Sequence, residues 1–201
     1  MGFGYKTTWL AVRKRSPEEV ADALGLADRE RLPWDEGVDR AYASGVFVAG
    51  PVNGWTLAHG RRDLASFDYS VTDPRFPEWF AALSVRLGEI QFFVNERGWS
   101  SHGWVRAVDG IVVRAFATFD GAVPLFIGDV TPAEREVGKG LRGWGDNWRN
   151  WQEEDWDAWY ESAPNELDVL KLAARWSVDP RTVDSEDVGD PGIYGMPADR
   201  L

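Results

Sequence analysis

The chain has 201 residues, 44% of them hydrophobic and 13% aromatic, enough to bury a sizeable core and to exclude global disorder. It contains no cysteine, which excludes disulfides, thiolate catalysis and cysteine-ligated zinc and suits a reducing cytoplasm. A net charge of −11 opposes contact with a phosphate backbone, so nucleic acid is not an expected partner.

The opening MGFGYKTTWL lacks the basic region and apolar run of a signal peptide. No run approaches the roughly 18 apolar residues of a membrane span, so a soluble cytoplasmic protein is expected. Thr7–Lys14 reads as a mostly buried strand. Ser16-Pro17-Glu18-Glu19 is a capping box with proline in the first turn, and predicts a helix over 17–25 with Gly25 as its stop. The charged stretch 27–43 reads as loop with a short turn. Gly45–Val52 and Trp55–His59 flank Asn53-Gly54, a hairpin signal because both residues tolerate positive φ. Pro51 marks an edge or a bulge. Asp63–Arg75 reads as loop and Pro77–Leu87 as an amphipathic helix ended by Gly88.

Glu89–Asn95 is a strand, and His102–Val108 and Ile111–Phe119 make a second hairpin about Asp109-Gly110. A further strand is expected at Val123–Ile127. The order through residue 95 is β-α-β-β-α-β, which predicts an α+β fold: a largely antiparallel sheet of ferredoxin-like order, extended by extra strands and followed by C-terminal helices. Its helices are expected on one face. Residues 1–130 are read as the sheet domain. Residues 131–201 are read as an acidic, Trp-rich helical extension with an irregular tail, packed on the same domain, with 131–145 as connector.

That extension is the unusual part. Residues 145–201 hold 5 Lys+Arg against 14 Asp+Glu, whereas residues 1–144 hold 17 against 19. Five of the 12 Trp fall between Trp144 and Trp159. On one helix over Asp146–Tyr160, Trp144, Trp148, Trp151, Trp156 and Trp159 would share a sector of roughly 140°. Such a stripe is a buried face, an exposed protein-binding face or a stacking platform. Asn165 caps a last helix, Glu166–Trp176, and the tail from Asp179 reads as irregular.

No hydrolase, nucleotide-loop or metalloprotease motif is present. The only histidines, His59 and His102, sit in different expected hairpins, so no metal and no cofactor is predicted. Glu96, Trp99, His102 and Trp104 form the densest mixed cluster, a pocket in which Glu96 and His102 would serve as acid and base.

The TTWLAVR opening, the SPEEVADALGL helix, the NGWTL hairpin and the LKLAARWSVDP run resemble a group of uncharacterised actinobacterial proteins. The resemblance implies a bacterial protein and carries over no activity or site residue. The leading expectation is a non-enzymatic protein-binding protein of the toxin-neutralising immunity class, with no membrane or nucleic-acid partner. Trp148, Trp151, Trp156 and Trp159 would anchor in a basic partner, and Glu153, Glu154, Asp155 and Asp157 would steer toward it. The alternatives are a small-ligand binder or enzyme using the Trp/His pocket, and an oligomeric scaffold joined along an edge strand.

Overall fold

The computed structural model describes residues 5–65, 70–143, 145 and 148–198, apart from the side chains of Ser70 and Trp99. Strand β1 (Thr7–Arg13) keeps Trp9, Leu10, Ala11 and Val12 all out of water. A strand covered on both faces has no polar side to show, hence its continuous apolar run. Helix α1 (Pro17–Ala23) starts on the expected reciprocal cap between Ser16 and Glu19. Gly25, at φ 64°, turns the chain into β2 (Leu26–Leu32), and helix α2 (Trp34–Ala43) follows.

Both elements correct the loop expected at 27–43. Strand β2 lies at one edge of the sheet with Asp28–Arg31 in water. Arg29, Glu30 and Arg31 pair with Asp22, Arg40 and Glu18. Charge on an edge strand discourages further strand pairing, and it also hides the strand from hydropathy.

Strands β3 (Val46–Val52) and β4 (Trp55–His59) turn at Asn53-Gly54, at φ 50° and 80°. Their register shifts between Ala49 and Val52, a bulge at Pro51. Helix α3 (Phe76–Leu87) ends at Gly88. Strands β5 (Ile90–Glu96), β6 (Ser101–Val108), β7 (Ile111–Phe119) and β8 (Ala122–Ile127) then form a meander, turning at Asp109-Gly110 and Asp120-Gly121.

The connector expected at 131–145 holds a helix, α4 (Pro132–Val137), capped by Thr131. Glu134 fastens it to the sheet. Its buried carboxylate accepts from Trp104 Nε1 at 2.6 Å, from Arg114 Nε at 2.9 Å and from the Thr131 N–H at 2.7 Å. Arg114 also donates to the carbonyls of Ile127 and Gly128. Helices α5 (Glu153–Ser162), α6 (Glu166–Trp176) and α7 (Ser185–Val188) follow.

The tail corrects the last expectation. It returns as strand β9 (Gly192–Pro197), inserted between β2 and β3. Among the described residues the nine strands form one antiparallel sheet, β2-β9-β3-β4-β1-β5-β6-β7-β8. Helices cover both faces rather than one. Helices α1 and α3 pack Val20, Phe76, Phe80 and Leu83 on Leu10, Val48 and Phe92. Helices α2, α6 and α7 pack Trp34, Val38, Leu170 and Val188 against the Trp9, Phe47, Phe93 and Trp104 side. A Cβ at Gly37 or Gly192 would stand 2.2 or 2.4 Å from the Phe47 ring, so these two glycines admit that ring between α2 and β9. No helix among the described residues is long and apolar enough to cross a membrane.

Candidate functional site

The acidic aromatic flank is not one helix. A single 3-10 turn covers Trp148–Asn150, and α5 begins only at Glu153. The break falls where the Gln152 N–H donates to Asp155 Oδ2 at 2.9 Å, an N-terminal cap in mid-segment. Expected Trp144 lies outside the described residues. Trp156 meets Trp151 at 4.9 Å and Trp148 at 6.1 Å between ring centroids, both edge to face, and Tyr160 at 6.2 Å. Trp148, Trp151 and Trp156 are half-buried, and Tyr160 is 61% exposed. Trp159 alone turns inward, at 5% exposure.

Glu153, Glu154, Asp155 and Asp157, on the same helix as Trp156 and Tyr160, all stand in water. Three of them occupy the first turn of α5, where the helix dipole favours negative charge. Asp155 is spent on the cap. The other three are exposed charges on α5.

The second predicted cluster is distributed through packed structure. Trp104 is buried against Phe116 at 4.9 Å and donates to Glu134. The His102 Nδ1–H donates to Asn95 Oδ1 at 2.9 Å, because the amide nitrogen of Asn95 is spent on the Glu166 carbonyl. Glu96 holds Arg61 at 3.3 Å and accepts from the Gly98 N–H. The Trp99 ring is outside the described side chains.

His59 pairs with Thr7 at 2.8 Å, and Thr7 stands in register with Asn95, Asn95 with His102 and His102 with Thr118. A buried polar row thus crosses the sheet beneath the start of α6, where Asn95 donates to the Glu166 carbonyl. The two histidines lie three strand spacings apart, β4 to β6, about 14 Å across the sheet, and two residues apart along it. No group of three metal-ligating side chains converges among the described residues.

Burial pushes His59 down to about 3 and His102 to about 4, the latter despite the nearby Asp168 and Glu96 carboxylates. Both rings are neutral in the fold, whereas the unfolded chain takes protons near 6.5. The unfolded state therefore binds more protons below that pH. The stabilisation is complete above pH 6.5 and drains away as pH falls toward 4 and then 3. Thermal melts between pH 7 and pH 4.5 should show the melting temperature falling, and His59→Gln/His102→Gln should flatten that slope. A double variant with the wild-type slope would contradict the assignment.

A further site was missed. At the other end of α6 a recess of about 430 Å³ opens between Arg13, Lys14, Trp55, Gln91, Arg106 and Trp176. The run Arg13-Lys14-Arg15 was the sequence signal, three cations at the end of a buried strand. The remaining walls come from β4, β5, β6 and α6, which only the fold assembles.

Comparison of the chain with protein-family models, with curated proteins and with solved structures finds no match.

Proposed function

We propose that this chain is a non-enzymatic bacterial protein-binding protein whose acidic aromatic flank occludes a basic surface of its partner. Toxin neutralisation of the immunity type, in the reducing cytoplasm, is the leading form of that role. One observation carries the reading: α5 sends only Trp159 inward and leaves Trp148, Trp151, Trp156 and Tyr160 as a partly exposed ring cluster, on a helix whose Glu153, Glu154 and Asp157 stand in water. Large rings that retain solvent contact are the residues that anchor protein interfaces, because each buries much area at small entropic cost. Exposed carboxylates raise the association rate with a basic partner and make it salt-sensitive.

The sheet centre supports a finer reading of descent as well. Neighbours β3-β4-β1-β5 are all antiparallel, with α1 and α3 on one face. That arrangement favours a ferredoxin-like unit into which β2 and α2 are inserted.

The test is a pull-down from host lysate with wild type and with Glu153→Lys/Glu154→Lys/Asp157→Lys, sparing the capping Asp155. A stoichiometric basic protein held by the wild type should be lost from the variant, with an association rate at least about tenfold lower at low salt. The variant should melt within a few degrees of wild type, since all three side chains are exposed. A partner held equally by both, or no partner for either, would contradict the reading.

A further inference from the structure

The recess at the end of α6 has the makings of a ligand site independent of the acidic flank. Gln91, 1% exposed, forms part of its wall. The Gln91 side-chain amide donates to the Trp176 carbonyl at 3.1 Å, closing the C-terminus of α6. That bond fixes which end of the amide is nitrogen. Oε1 is left without a hydrogen-bond partner among the described residues. Oε1 is also closed to solvent, so it is a buried acceptor behind the recess wall and not a contact for a ligand.

The rim is cationic. Arg13 and Arg106 share the single carboxylate of Glu89, at 2.7 and 2.8 Å, so one positive charge remains between them. Lys14 adds a second, its ammonium without a partner among the described residues. In a chain of net charge −11 this concave concentration of cations runs against the background. Trp55, with the Arg13 guanidinium 5.9 Å from its ring, and half-buried Trp176 supply the apolar walls. The volume of about 430 Å³ lies within the range of small-ligand sites.

We infer that this recess binds a small phosphate monoester that carries a flat ring, a mononucleotide being the simplest such molecule. The phosphate meets Lys14, Arg13 and Arg106 as charge-assisted contacts. The ring lies against Trp55 and Trp176. The same chemistry occurs at the phosphorylated end of an RNA strand, but the overall acidity of the chain repels a long phosphate backbone.

Isothermal titration of the intact protein tests this with the ribonucleoside 5′-monophosphates, the corresponding nucleosides, inorganic phosphate and a short 5′-phosphorylated RNA. At least one mononucleotide should bind about tenfold or more tighter than its nucleoside and than phosphate. Lys14→Glu, an exposed change, should weaken that binding about tenfold or more. Trp176→Leu should weaken the mononucleotide while leaving phosphate unchanged, with circular dichroism confirming its fold. If Trp176→Leu does not fold, Lys14→Glu carries the test. Equal affinity for mononucleotide and phosphate, wild-type affinity in Lys14→Glu, no heat at millimolar mononucleotide, or tighter binding of the RNA would each overturn the inference.

Discussion

Replacing Glu134 with alanine should cost the fold about 3–5 kcal/mol, the range for stranding one charge of a buried pair. The Arg114 and Glu134 side chains are 2% and 1% exposed and lie 2.7 Å apart. Burial by itself raises the Glu134 carboxyl, but hydrogen bonds from Arg114, Thr131 and Trp104 more than offset it and hold the group below its ordinary 4.5. Alanine would leave the Arg114 charge and the Trp104 Nε1 donor without their acceptor, and would free α4 from the sheet. For a chain of this size the melting temperature should drop by roughly 6–20 °C. Arg114→Met/Glu134→Met removes both charges together and should lose less than Glu134→Ala. A single variant within 2–3 °C of wild type, on the same roughly 2–4 °C per kcal/mol scale, would mean the pair is not an anchor.

Ending the chain after Gly189 should be as damaging. It removes β9, which hydrogen-bonds to β2 on one side and β3 on the other, and deletes the buried side chains Ile193 and Tyr194. Each such side chain is worth about 1.5–3 kcal/mol of burial, and two unpaired edges appear where none existed. Against a total stability of about 5–15 kcal/mol, the shortened chain should lose cooperative melting and associate. Size-exclusion chromatography with circular dichroism reads both. A monomer melting as wild type does would show β9 to be dispensable.

The elements that could be read from sequence are those fixed within a few residues of themselves. Ser16 and Glu19 cap α1 reciprocally, and Asn53-Gly54 and Asp109-Gly110 take the left-handed turns their residue types favour. Strand β9 could not be read this way, because GIYGMP has little periodicity and its place depends on Gly192 meeting Phe47 across 145 residues. Helix α2 did carry a signal: Trp34, Gly37, Val38 and Ala41 recur at helical spacing, and the charges between them masked it. Charge likewise hid β2. On the flank, the residue types were legible but the break at Gln152 was not, since the cap formed by Asp155 competes with a continuous helix. Trp104 and His102 looked like one site because they are two residues apart on β6. Their partners, Glu134 and Asn95, lie on different elements and draw them into separate networks. The basic recess needed five elements to meet, and only Arg13-Lys14-Arg15 announced it.

Hydrogen exchange on the purified one-to-one complex, compared with the free protein, tests the central claim most directly. New protection should appear over 148–162, the ring cluster and α5, and should weaken as salt is raised. Protection confined to another face of the protein, with 148–162 exchanging as in the free chain, would contradict it.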